Sequence, residues 1–139
     1  MTKTTFAVFV LGAAVAFAHP ASAEKFKAVL DGKSEVPPNT SAGTGSADID
    51  YDAASKKLTW KVTYSGLSGP ATAAHFHGPG EVGKNAGVQV PIPNAGSSPA
   101  EGSATLTDAQ AADLMAGKLY VNVHTAANPA GEIRGQVTK

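Results

Sequence analysis

The chain has 139 residues, a length typical of a single domain. Its 11 basic residues balance its 11 acidic residues, so the net charge of zero gives no electrostatic basis for binding nucleic acid or an anionic membrane surface. The absence of cysteine excludes disulfide scaffolds, iron–sulfur clusters, thiolate zinc sites and thiol catalysis.

The first 23 residues have the order of a secretory signal peptide. Lys3 supplies a short positive region, the run from Phe6 to Ala18 is apolar and uncharged, and Ala21-Ser22-Ala23 supplies the small residues of a cleavage site. We expect cleavage after Ala23, which leaves one domain over residues 24–139 in a secreted or periplasmic setting, with no membrane attachment.

Two alternatives to this cleavage remain open. The apolar run could persist as an N-terminal helix, although it is short for crossing a bilayer. A cut after Ala18 would instead expose His19 as an N-terminal copper-binding amine. The Ala-Ser-Ala motif favours the cut after Ala23.

Alternation of apolar and polar residues predicts strands through most of the remaining chain. Lys57–Tyr64 is the clearest case, because every second residue from Leu58 onward is apolar. Ala47–Asp52 alternates in the same way, and residues 53–56 would join the two runs as a hairpin. Further strands are expected at Phe26–Leu30, Ala73–Gly78, Val88–Ile92, Ser103–Leu106, Tyr120–His124 and Glu132–Val137.

One short helix is predicted among these strands. Ala109–Met115 has good helix propensity, Thr107 or Asp108 can cap its start, and Gly117 can end it. Gly, Pro, Asn and Ser mark loops at Pro37–Gly45, Gly78–Gly87 and Pro93–Gly102. Short strands joined by long loops predict an all-β fold, an antiparallel Greek-key β-sandwich or barrel with one short helix.

Three histidines of the domain lie in these predicted strands. His75 and His77 flank Phe76, and His124 ends the strand that begins at Tyr120. Residues i and i+2 of a strand point to the same side, with Cα atoms about 6.5–7 Å apart. If Phe76 points into the core, the pair points outward, and the alternation in the later strand directs His124 outward as well. The three imidazoles could therefore share one metal ion.

Imidazole ligands without thiolates suit Cu(II) or Zn(II) in an oxidising compartment. The same alternation places Glu132 and Arg134 on the outer side, as candidate groups behind the ligands. A polar, solvated strand face is the alternative to a metal site. The chain has no nucleophile elbow, P-loop or dinucleotide fingerprint, so no catalytic residue is assigned.

Several of these segments together resemble the CHRD domain, which is named for chordin and also occurs in secreted bacterial proteins. The motifs are Ala74–Pro79, Leu106-Thr107 with the short helix, Leu119–Thr125 and Asn128–Gln136. The resemblance covers essentially all of residues 24–139 and implies an extracellular β-rich module. It implies neither a particular activity nor a protein partner for a stand-alone copy.

The histidine pattern is also similar to the copper site of the copper/zinc superoxide dismutases, which are Greek-key barrels with metal on an outer wall. That likeness implies His75, His77 and His124 as copper ligands. The domain lacks a further histidine to bridge to zinc and the cysteines of the family disulfide, and Arg134 is a loose counterpart of the arginine that guides superoxide.

Three functional hypotheses follow from the sequence. The first is a secreted copper-binding protein with a role in sequestration, transfer or redox chemistry. The second is a metal-free extracellular interaction module, and the third is a dismutase-like enzyme.

Overall fold

The computed structural model describes residues 23–139. The predicted signal peptide, apart from Ala23, lies outside the described residues, so its cleavage stays a prediction.

Eight strands form one antiparallel sheet whose order is β5-β4-β7-β8-β1-β2-β3-β6. The strands are β1 Glu24–Asp31, β2 Thr44–Asp52, β3 Lys57–Ser65, β4 Ala71–His77, β5 Val88–Pro91, β6 Ala100–Thr105, β7 Tyr120–Thr125 and β8 Ile133–Gln136. A 3-10 turn, Gly32–Ser34, follows β1, and one helix, α1, spans Asp108–Met115. The predicted all-β antiparallel fold with one short helix is confirmed.

The sheet curls into a nearly closed barrel, and residues 92–99 bridge the gap between its two edges. The backbone N–H of Ile92 donates to the carbonyl of Ala74 in β4 at 2.9 Å. At the other end of this segment, the N–H of Tyr64 in β3 donates to the Ser98 hydroxyl at 2.9 Å. Inside the barrel, the rings of Trp60 and Phe76 meet edge to face, with centroids 5.2 Å apart.

The β2–β3 hairpin follows the predicted alternation. Ile49 pairs with Trp60, and both side chains are buried in the core. On the outer side, Asp48 lies opposite lysines of both neighbouring strands, Lys27 and Lys61. The acidic row of β2 is therefore balanced by cross-strand lysines, which makes it a solvated strand face.

Helix α1 begins and ends where its capping residues predict. Thr107 and Gln110 form a capping box, and Gly117, with φ of +70°, follows the last turn. The Gln110 side chain also donates to the carbonyl of Gln89 at 3.1 Å. The helix thus covers part of the edge strand β5.

The predicted boundaries around β6 are wrong. Residues 100–102 were expected in a loop, but β6 begins at Ala100, which pairs with Val62. Ala, Glu and Gly all have weak strand propensity, so these residues become a strand by pairing with the long neighbouring strand β3. Gly102 is required there, because a Cβ atom would lie 2.8 Å from the Trp60 ring. The last predicted strand, Glu132–Val137, is also shorter, at Ile133–Gln136.

Candidate metal centre

Neighbouring strands β4 and β7 bring the three histidines together on the outer side of the sheet. In their antiparallel register His75 pairs with Asn122, and His124 pairs with Ala73. Ala73 lies two residues before His75, so His75 and His124 occupy neighbouring positions on the same face of the sheet. One ring nitrogen from each of His75, His77 and His124 lies within 4.8 Å of the others. The expected convergence of the imidazoles is therefore present in the fold.

His77 is the buried member of this histidine cluster, with 9% of its surface exposed. Its Nδ1 lies 2.9 Å from the carbonyl oxygen of Ala86. Because a carbonyl can only accept, Nδ1 carries the proton and Nε2 carries the free lone pair. That Nε2 is buried and has no hydrogen-bond partner. Burial lowers the pKa of His77, so the ring is held in the neutral form that a metal requires.

His124 is oriented in the same manner. Its Nδ1 lies 3.0 Å from the carbonyl oxygen of Pro129, so its Nε2 is also free of a proton. The Nδ1 of His75 lies 3.1 Å from that Nε2 and donates to it. Burial, followed by the neighbouring His124 and His77, lowers the pKa of His75. The Nε2 atoms of His77 and His124 therefore carry no proton, and a metal ion bound between His75 and His124 would replace the hydrogen bond between their rings.

The chemistry of this donor set fits a transition metal. Metal–nitrogen bonds of about 2.0 Å place two ligand nitrogens at most about 4 Å apart, so small side-chain movements would close the cluster around an ion. Histidine ligands commonly donate their other N–H to a backbone carbonyl, as His77 and His124 do. His75 and His124 are only half-buried, which leaves one side of the cluster open to solvent.

Arg134 lies behind His77, separated from it by Tyr120. The Tyr120 ring stacks on the His77 ring, with centroids 5.1 Å apart and planes at 9°. The guanidinium carbon of Arg134 lies 3.5 Å from the Tyr120 ring centroid. Arg134 also donates to the side chain of Asn85 at 3.0 Å and to the carbonyl of Lys84 at 2.6 Å. It thereby fixes the loop that carries Ala86.

Glu132 contacts the β7–β8 turn rather than the imidazoles. Its carboxylate accepts hydrogen bonds from the backbone N–H and hydroxyl of Ser68, from the Thr125 hydroxyl and from the Asn128 amide. Burial acts to raise the pKa of Glu132, but these hydrogen bonds outweigh burial and lower it. Glu132 therefore fixes the turn that carries Pro129, the partner of His124.

The outer side of β7 and β8 is covered, although alternation alone suggests a solvated face. Asn122, Glu132 and Arg134 are all buried. The cause lies in loops that fold back over the strands, since Arg134 and Gln136 donate to carbonyls of residues 80–84. Such loop contacts have no sequence signal.

Sequence reasoning missed two residues of this region. Tyr120 was identified only as the first residue of a predicted strand, but its ring lies between His77 and Arg134. Glu35 was not identified at all. Its carboxylate accepts a hydrogen bond from Asn122, and burial raises its pKa to about 7.

A family model for the CHRD domain matches residues 26–137, so the chain belongs to the CHRD domain family. The resemblance found in the sequence motifs is confirmed. No curated protein and no solved structure matches the chain significantly. Within residues 23–139, no helix is both long enough and apolar enough to cross a membrane.

Proposed function

We propose that this CHRD-domain protein is a secreted or periplasmic copper-binding protein whose ion is held by His75, His77 and His124. The observation that carries the proposal is the buried Nε2 of His77, which has no hydrogen-bond partner and belongs to a cluster of three imidazoles. A buried polar atom without a partner is costly, and a metal ion would satisfy it.

The donor set supports copper ahead of zinc. All three ligands are imidazoles, and Cu(II) binds nitrogen ligands more tightly than Zn(II) does. Glu132, the acid expected behind the site, is committed to Ser68, Thr125 and Asn128, so it adds no oxygen ligand. Zinc is also known with three histidines, and direct competition between the two ions decides between them.

The open side of the cluster supports a role in copper sequestration, transfer or redox chemistry. A bound copper ion would supply one-electron chemistry. Two of the ligands, His75 and His124, are half-exposed, so an ion can enter and leave on their side of the cluster. The third ligand, His77, is buried and is held by its hydrogen bond to Ala86.

The test is a Cu(II) titration of the full chain, followed by electron paramagnetic resonance. We expect one copper per chain, with hyperfine structure from imidazole nitrogens. His77→Ala should lose tight binding without unfolding, because the ring lies outside the core. Thr72→Ala is the matched control, since Thr72 is an exposed residue of the same strand, and it should bind copper as the parent does.

A metal-free interaction module is the competing function. It predicts that the parent binds neither copper nor zinc after mild purification, and that added Cu(II) does not raise the melting temperature. Binding to the folded state alone should raise stability by about 4 kcal/mol at a free-ion concentration of about 1,000 times Kd. An unchanged melting temperature would overturn the copper proposal.

A further inference from the structure

Three planar groups are stacked behind the histidine cluster, in the order His77, Tyr120, Arg134. The stack is held at its edge by one residue. The carbonyl of Ala86 accepts from His77 Nδ1 at 2.9 Å and from the Tyr120 hydroxyl at 3.1 Å. The spacing of His77 and Tyr120 is therefore fixed by hydrogen bonds as well as by stacking.

The charge of Arg134 is buried and has no ion-pair partner. The side chain is 2% exposed, and none of the ion pairs within residues 23–139 includes it. Its hydrogen bonds go to neutral groups, the Asn85 amide and the carbonyls of Glu81 and Lys84. Glu35 is the carboxyl group that interacts with this charge. A buried charge is screened by salt much less than a surface charge.

The positive charge lies close to the histidine cluster. The Tyr120 ring lies between the Arg134 guanidinium and the His77 ring, 3.5 Å from the guanidinium carbon and 5.1 Å from the imidazole centroid. A positive charge at this distance disfavours additional positive charge on an ion bound to His77.

We propose that Arg134 is a positioning residue that favours Cu(I) over Cu(II) at the histidine cluster. This inference rests on the proposed copper site. A fixed positive charge repels Cu(II) more strongly than Cu(I), because the two ions differ by one unit of charge. At the distance of two stacked rings and an effective dielectric constant of about 20, the ratio of the two affinities should change by about tenfold.

The experiment is a potentiometric titration of the copper-loaded full chain, in which dye mediators supply the single electron that converts Cu(II) to Cu(I). Arg134→Gln removes the charge and keeps an amide that can donate to the loop carbonyls. A tenfold change in the affinity ratio lowers the reduction potential by about 59 mV for a one-electron couple. Arg134→Lys keeps the positive charge, so its reduction potential should stay close to that of the parent.

Lys118→Gln is the matched control, since it removes one positive charge from an exposed side chain two residues before Tyr120. Its potential should equal that of the parent. Equal falls in Arg134→Gln and Arg134→Lys would overturn the proposal, because the charge would not be the cause. An unchanged potential in Arg134→Gln would overturn it as well. A parent that binds no copper would instead refute the copper site itself.

A second variant covers the case in which Arg134→Gln cannot hold the loop. Asn85→Ala removes one contact between Arg134 and the loop and keeps the Arg134 charge. Its reduction potential should equal that of the parent. A fall as large as that of Arg134→Gln would overturn the proposal, because loosening of the loop would then be the cause.

Discussion

Glu35 is a buried carboxyl group, 6% exposed, that faces Asn122 and the charge of Arg134. Burial raises its pKa from 4.5 to about 7, and the Asn122 hydrogen bond and the Arg134 charge offset only part of that rise. Between pH 4.5 and about pH 7, Glu35 therefore keeps its proton in the folded chain but has released it in the unfolded chain. The contribution of Glu35 to stability is therefore complete below pH 4.5 and is lost as the pH rises through 7.

We expect Glu35→Gln to remove this dependence on pH. The variant should become more stable relative to the parent as the pH rises from 5 to 8, by at most about 3 kcal/mol at pH 8. Urea unfolding of both proteins at the two pH values measures the difference. A difference that does not grow between pH 5 and pH 8 would contradict the burial argument.

Side-chain direction at the histidines could be predicted from the sequence, whereas burial around them could not. Direction follows from the two-residue period of a strand, which local geometry fixes. This period places His75 and His77 on the same side of the strand, independently of how the rest of the chain folds. The burial of Arg134 depends on residues 81–85 folding across β8, a contact between residues about 50 positions apart.

At the level of elements, the β7–β8 turn orients one of the proposed ligands. The carbonyl of Pro129 in this turn accepts a hydrogen bond from His124 Nδ1. The Glu132 carboxylate anchors the turn by accepting hydrogen bonds from Thr125 and Asn128. These bonds keep the pKa of Glu132 low, so the group is ionised at neutral pH. Hydrogen bonds to a charged group are stronger than those between neutral groups.

Glu132→Gln should therefore loosen the turn. The Gln side chain would place an NH₂ group, itself a donor, against the N–H and O–H donors of Ser68 and Asn128. Because these hydrogen bonds would be lost, we expect the free energy of unfolding to fall by about 1–3 kcal/mol. Copper affinity should fall by about tenfold, because His124 loses its fixed orientation. Calorimetric titration with Cu(II) measures the affinity. Unchanged affinity would show that the turn does not position His124.

Elements differ in how far the sequence determines them. The helix carries its own start and end signals in Thr107, Gln110 and Gly117, and the prediction was accurate. Strand β6 has no such signal, since Ala100 and Gly102 become a strand only by pairing with β3. Boundaries that depend on a distant partner strand cannot be obtained from local composition.

At the scale of the whole molecule, the buried position of Arg134 argues against fast superoxide dismutation. A fast dismutase attracts its anionic substrate with accessible positive charge. Arg134, the candidate for that role, is buried beneath Tyr120 and bonded to loop carbonyls. We expect copper-loaded protein to react with superoxide far below the diffusional ceiling of about 10⁸–10⁹ M⁻¹s⁻¹. Pulse radiolysis checks this, and a rate near the ceiling that is lost in Arg134→Ala would contradict it.

Export is the second expectation for the whole molecule. The first strand begins at Glu24, directly after the predicted cleavage position. Protein recovered from the host should therefore have the mass of residues 24–139 and should lie outside the cytoplasm. Mass spectrometry of the recovered chain measures this, and full-length protein in the cytoplasm would contradict the signal peptide.

The pairing of β4 with β7 also determines when the histidine cluster can form. His75 and His124 are 49 residues apart in the chain, and only the completed pairing of these two strands brings their rings together. Contacts between distant residues form slowly, because the intervening loop must close first. Of the three cluster histidines, an unfolded chain in transit would hold only His75 and His77 close together. Selective loading would then follow folding, so the metal available at the destination, and not at the site of synthesis, would determine which ion the protein carries.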